Sequence, residues 1–357
     1  MTEKEHVKKK YVKIRFMNTE KKSFKKSGII FLILVVILFA FVFHSVSLNE
    51  VIESIRQTDQ PFIILGMLMM VAYLLCDALN IYRPLHILGY PISYLQSIKY
   101  SILGFFFSYI TPSATGGQPM QIYYMYKDDI NVSHSALVLI IQLIGHETAI
   151  TTLAIIGFIS QNGLLTKAMG QAKYTLLIGI VVNVLIDLFM FCVVFFKKTA
   201  RIINRIVVKI AGVFSKNVAT RIDASLKQVY DDYQNGADDL KAHKGIIRKT
   251  VLTAFFQMLF MFTVPFCVYL GFHLHQFHWF QITMIEAVLF VAVGFVPLPG
   301  AIGASEGLFY ILFRVLFPSS ILTSAMLLTR CINLYFCLVI DGLLILWFTH
   351  RLKKRGN

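Results

Sequence analysis

Residues 297–307 read Pro297-Leu298-Pro299-Gly300-Ala301-Ile302-Gly303-Ala304-Ser305-Glu306-Gly307, and they interrupt the apolar stretch Phe280–Phe317. A helix does not run smoothly through such a cluster, because proline lacks the N–H that a helix interior needs and glycine loses the most entropy on ordering. A second break, Thr111-Pro112-Ser113-Ala114-Thr115-Gly116-Gly117-Gln118-Pro119, divides the stretch Tyr94–Tyr126 in the same way. The arms beside each break are about 12–17 residues long, which suits re-entrant or buried helices and falls short of the roughly 20 needed to span a bilayer. With Pro112 set against Pro299, Gly116 falls against Gly303, so each break carries Pro and Gly four positions apart.

Outward from these breaks lie six uninterrupted apolar runs: Gly28–Val46, Pro61–Asn80, Ser135–Ile159, Tyr174–Phe196, Thr250–Phe272 and Ile321–Phe348. Of the 357 residues, 57% are hydrophobic and 15% charged. Soluble domains hold about 45–50% apolar and about 25% charged residues, so this composition excludes an ordinary soluble enzyme. The wealth of Phe, 31 residues, equally excludes a disordered chain. No small-residue cleavage site follows Gly28–Val46, which therefore reads as a retained first helix.

The net charge is +15, and 26 of the 34 Lys and Arg residues fall in 1–27, 197–249 and 351–357. Basic segments beside apolar runs mark the cytoplasmic side, facing an anionic inner leaflet. No stacking or groove-reading motif accompanies the charge, so nucleic acid is not expected as a partner. Segment 197–249 carries Ile202, Ile203, Ile206, Val207 and Ile210 at helical spacing with Arg201, Arg205 and Lys209 opposite, a basic amphipathic connector. The loop Ser47–Gln60 has one basic residue, Arg56, and three acids, which places it outside. Alternation of the spans then makes Tyr94–Tyr126 begin and end inside, and Phe280–Phe317 begin and end outside.

The expected fold is an all-α polytopic membrane protein, with six transmembrane helices and two re-entrant broken-helix hairpins in an inverted repeat. Its expected organisation is a cytoplasmic basic tail (1–27), a first membrane repeat (28–196, hairpin 94–126), the cytoplasmic connector (197–249), a second repeat core (250–348, hairpin 280–317) and a cytoplasmic tail (349–357). The expected location is the cell membrane, with both termini cytoplasmic.

Ionisable residues at membrane depth are functional candidates because of what they cost there. Asp77, Asp187, Arg314 and Asp341 read as span-end groups, paired or snorkelling. Glu306 and Arg330 read as functional, since Glu306 opens the second arm of a broken hairpin. His146 and Glu147 fit either a polar helix contact or a proton-linked coupling site. A helix that starts in mid-membrane exposes unpaired N–H groups, and glycine lets a headgroup approach closely. Gly116, Gly117, Gln118, Gly300, Gly303 and Ser305 are therefore candidate headgroup ligands, with Ser305 as the expected N-cap of its helix. The competing reading makes the Gly/Pro clusters packing devices. The five cysteines lie within apolar runs without a CxxC pair, no GxxxxGK[ST] motif occurs, and His273, His275 and His278 suit an aromatic interfacial loop. No metal, cofactor or catalytic residue is expected.

The two breaks resemble the membrane part of the lysylphosphatidylglycerol synthase family, the multiple peptide resistance factors and their stand-alone relatives. That pattern is Pro…Gly-Gly-Glu/Gln-Pro followed by a helix, then Pro-x-Pro-Gly-x-x-Gly-x-x-Glu-Gly. It falls here on Pro112, Gly116, Gly117, Gln118 and Pro119, then on Pro297, Pro299, Gly300, Gly303, Glu306 and Gly307, with Arg330 fitting an Arg of the last span. The first motif carries Gln118 where Glu is common. The resemblance spans most of residues 28–348 and implies a lipid flippase moving a phospholipid from inner to outer leaflet, with aminoacylated phosphatidylglycerol as its candidate cargo. In that family a separate soluble domain makes the lipid from aminoacyl-tRNA. The 53 residues of 197–249 are too few for such a domain, so lysyltransferase activity is not expected of this chain alone. Two alternatives stand beside the flippase: a phosphatidylglycerol lysyltransferase-type membrane enzyme, and a non-catalytic membrane partner of a separately encoded lipid synthase or glycosyltransferase. Neither headgroup, energy source nor oligomeric state is legible at this level.

Overall fold

The computed structural model describes residues 48–195, 240, 243, 245–294, 296 and 298–355. The tail 1–27, the run Gly28–Val46 and nearly all of the connector 197–249 lie outside them. The chain divides into the units Met1–Glu50 and Val51–Asn357, and the fold described here is that of the second. Among the described residues it is all-helical.

The helices are α1 (Leu48–Arg56), α2 (Gln60–Ile87), α3 (Tyr94–Ile110), α4 (Gly117–Lys127), α5 (Val132–Ser160), α6 (Asn162–Met169), α7 (Thr175–Phe195), α8 (Gly245–Gly271), α9 (Trp279–Val293), α10 (Ala304–Phe313), α11 (Leu322–Arg330) and α12 (Cys337–Arg355). Five stretches are long and apolar enough to cross a membrane: Gln60–Ile87, Val132–Ser160, Asn162–Cys192, Gly245–Gly271 and Leu322–Phe348. They coincide with five of the six apolar runs. Their outward faces suit lipid; on α7, Ile178, Leu185 and Phe189 are all about 60% exposed or more.

Local chemistry sets several helix starts. Ser93 Oγ accepts the Gln96 N–H while Gln96 Oε1 accepts the Ser93 N–H, a capping box that opens α3. Asn131 Oδ1 accepts the Ser133 N–H at 2.8 Å and opens α5. Pro61 occupies the first turn of α2, where its missing N–H leaves no bond unmade.

Both apolar stretches with Pro/Gly clusters are broken, and the two breaks have one geometry. Thr111 (φ −112°, ψ 146°) and Leu298 (φ −115°, ψ 143°) are extended, as residues before proline prefer. Single 3₁₀ turns follow at Pro112–Ala114 and Pro299–Ala301. Each turn ends on an alanine in the left-handed region, Ala114 at φ 54° and Ala301 at φ 51°. The two turns pack against each other, and the second also packs on α3. Around them α2 lies along α8, and α5 lies against both α8 and α9.

One interruption has no counterpart in the apolar pattern. Cys331–Phe336 is a π-helical segment between α11 and α12, immediately after Arg330. Such segments shift the register of everything beyond them and occur often at functional sites.

Candidate functional site

The two turns border a cavity of about 290 Å³. Its wall takes Tyr73 and Asp77 from α2, Tyr109 from α3, Gln118 and Gln121 from α4, and Gln142, His146 and Glu147 from α5. Across from these stand Glu286 of α9, Gly300 and Ala301 of the second turn, Ser305 of α10, Thr329 and Arg330 of α11, and Asn333 of the π segment.

Pro112 and Pro299 are 187 residues apart, and the same interval runs through the wall. Eight pairs of lining residues keep it: Tyr109/Val296, Ala114/Ala301, Gln118/Ser305, Leu139/Met326, Gln142/Thr329, Leu143/Arg330, His146/Asn333 and Glu147/Leu334. Positions one constant interval apart thus line one space. Charge breaks the likeness: Arg330 faces its counterpart Leu143, and Glu147 its counterpart Leu334.

Arg330 is held from behind. Its Nε donates to Glu306 Oε1 at 2.8 Å, in a pair whose side chains are about 80% buried. Glu306 is itself fixed by the start of α10, where Oε2 accepts the Gly303 N–H and the Ser305 hydroxyl. Gly303 has φ +89°, a conformation that suits glycine, and it occupies the N-cap position. The expectation of Ser305 as the cap is therefore corrected. Its hydroxyl instead donates to the Ala301 carbonyl at 2.9 Å, because Ser305 already lies inside the helix. Anchoring through Nε leaves Nη2 of Arg330 buried with no hydrogen-bond partner.

Asp77 lies on the cavity wall, ten residues before the end of α2. Ser101 Oγ donates to its Oδ2 at 2.7 Å, while Gln142 Nε2 and Gln257 Nε2 donate to Oδ1 at 2.5 and 3.0 Å. One carboxylate thus ties α2, α3, α5 and α8 together. Asp341 is fully buried, with neither carboxylate oxygen hydrogen-bonded. Arg314 caps the C-terminal end of α6 by donating to the Ala168 carbonyl.

Of the residues expected from the sequence, Gln118, Gly300, Ser305, Arg330, His146 and Glu147 come together on the cavity, with Glu306 directly behind Arg330. His146 Nδ1 lies 3.8 Å from Glu147 Oε1, beyond hydrogen-bond reach. Gly116, Gly117 and Gly303 are not on the wall. A Cβ on Gly117 would lie 2.1 Å from Ser108 Oγ and 2.7 Å from the Gly104 carbonyl oxygen, so that glycine lets α3 and α4 touch. Glu286, Gln121, Gln142 and Asn333 complete the site; Glu286 carried a signal as a charged residue at depth, the other three none. Among the described residues, no three His, Cys, Asp or Glu side chains gather in a way that suits a metal ion.

No curated protein matches the chain. The family described as the lysylphosphatidylglycerol synthase TM region matches residues 28–340, which include both breaks, the cavity and Arg330, and this multi-pass membrane protein belongs to that family.

Proposed function

We propose that the protein is a phospholipid flippase whose cavity takes the lipid headgroup as it moves from the inner to the outer leaflet, without making or breaking a covalent bond. The observation that carries this reading is Arg330 on the cavity wall, ion-paired through Nε and with a buried Nη2 that has no hydrogen-bond partner. A guanidinium fixed in that manner suits a phosphate oxygen, because a charge-assisted hydrogen bond in a low-dielectric site is short and strong. The start of α10 adds backbone N–H groups and the positive end of a helix dipole beside it. A space of about 290 Å³ suits a polar headgroup and is far too small for two acyl chains, which on this reading stay in the bilayer.

The same proposal gives the chain six crossings, with Gly28–Val46 as the first, and both termini in the cytoplasm. The broken pairs α3–α4 and α9–α10 are then hairpins dipping from opposite faces of the cell membrane. The constant interval of 187 around the cavity supports a two-fold repeat, and the charge bias of the loops supports its inversion. Aminoacylated phosphatidylglycerol is the cargo that the family suggests.

Reconstitution tests the reading. Vesicles holding a fluorescent phospholipid are treated with a membrane-impermeant reductant, which destroys the probe in the outer leaflet only. With the protein present, the bleached fraction is expected to exceed that of protein-free vesicles, as inner-leaflet lipid reaches the outside. An unchanged fraction, with the protein verified to be inserted, refutes a flippase.

A further inference from the structure

The cavity wall is electrostatically one-sided for an anion. Three carboxylates reach it, on Asp77, Glu147 and Glu286, while its single arginine, Arg330, is already matched by Glu306. A phosphate brought into such a space meets like charges that low dielectric screens poorly. Entry becomes favourable when one of the carboxylates is neutral.

The three carboxylates differ in what holds them. Asp77 accepts three hydrogen bonds, which stabilise its charged form. Glu147 has the His146 ring beside it at 3.8 Å. Glu286 is only 6% exposed, and its Oε2 is buried with no donor at all. An unpaired buried charge is the costliest arrangement of the three, so Glu286 is the group that a proton relieves most.

Resting on the phospholipid reading above, and taking the unmodified anionic phosphatidylglycerol headgroup rather than its aminoacylated form, we propose that Glu286 is a proton-binding site coupled to the anion seat at Arg330, so that an anionic headgroup enters together with one proton. The proton passes from water to the Glu286 carboxylate, and no bond in the lipid changes. The titratable groups around Glu286 leave this assignment intact. α5 presents His146 and Glu147; α10 carries Glu306, committed to Arg330; α7 carries Asp187, which is not on the wall; α8 reaches the wall only through Met261. The wall also carries Asp77, Arg330 and the phenols of Tyr73 and Tyr109.

Coupling is reciprocal: if the lipid brings a proton, lowering the pH tightens the lipid. The test uses purified full-length protein in detergent and short-chain phosphatidylglycerol, whose phosphodiester stays ionised throughout. Titration calorimetry in buffers of different ionisation enthalpy counts protons per lipid bound. The wild type is expected to take up close to one proton, with affinity rising up to about tenfold per unit fall in pH where coupling is complete. Glu286→Gln is expected to lose both the uptake and the pH slope, and Glu286→Asp to keep them. Lipid binding without proton uptake in the wild type overturns the proposal and leaves the flippase reading standing, and this result needs no variant to fold. A Glu286→Gln protein that keeps the full pH slope also overturns it. If the wild type binds no lipid under any condition, the phospholipid reading falls, and the proton site with it.

Discussion

Arg330→Gln is expected to weaken phospholipid binding about tenfold to a hundredfold and to reduce transport to background. A charge-assisted hydrogen bond contributes about 1.5–3 kcal/mol, and each 1.4 kcal/mol is tenfold in affinity. The two sides of the pair differ, because Glu306 without Arg330 still has the Gly303 N–H and the Ser305 hydroxyl as donors, whereas Nη2 of Arg330 has no acceptor. Glu306→Gln keeps an amide oxygen for the Gly303 N–H and the Ser305 hydroxyl, yet it leaves the guanidinium without its counter-charge. Breaking a buried pair from one side costs about 3–5 kcal/mol, so this single variant is expected to fold poorly. The double variant Glu306→Gln/Arg330→Gln holds no lone charge and is expected to recover its folded yield, measured as a monodisperse peak in detergent. It is expected to remain inactive, because nothing is left at the cavity to meet a phosphate. A folded double variant that transports at the wild-type rate would remove the assignment and leave the broken helices as packing devices.

Gly117→Val is expected to be the most damaging change in the first hairpin. Its Cβ would enter the space of Ser108 Oγ, 2.1 Å away, and of the Gly104 carbonyl oxygen, 2.7 Å away. A serine side chain can turn aside, but a helix backbone cannot move without separating α3 from α4. Overpacking of this kind costs about 1–3 kcal/mol, occasionally more, which in a chain of this length lowers a thermal midpoint by about 1–4 °C. Gly163→Ala is the control, since nothing lies within 4 Å of the added methyl and Gly163 sits within helix α6. Its midpoint is expected to stay the same or rise slightly. Equal loss in both variants would show that the contact between α3 and α4 is not what holds the hairpin.

These two cases show where sequence is informative and where it stops. The breaks at Pro112 and Pro299 are legible because proline chemistry acts locally, and the interval between them predicts which positions of the two halves correspond. Gln118 and Ser305 are legible as helix starts beside those breaks, and Arg330 as a charge within an apolar run. Gly116 and Gly117 are harder, because a backbone that approaches a ligand and a backbone that approaches another helix both require a missing Cβ. Sequence alone leaves the two uses open; the position of Ser108 and Gly104 decides for packing. The surroundings of Asp77 were hidden for a different reason. Its partners Ser101, Gln142 and Gln257 lie 24, 65 and 180 positions away, and hydropathy does not tell which face of α2 meets them. The π segment after Arg330 leaves no trace in an evenly apolar run, so the position of Asn333 was not legible.

The central claim is that a phospholipid headgroup occupies the cavity between the two broken helices. The measurement that meets it most directly is photo-crosslinking in reconstituted vesicles, using a phospholipid with a diazirine in its headgroup and peptide mapping of the adducts. The account predicts adducts on wall residues such as Tyr109, Gln121 and Asn333, and their loss in Arg330→Gln. Adducts confined to outward-facing residues such as Ile178, Leu185 and Phe189, unchanged by Arg330→Gln, would contradict it.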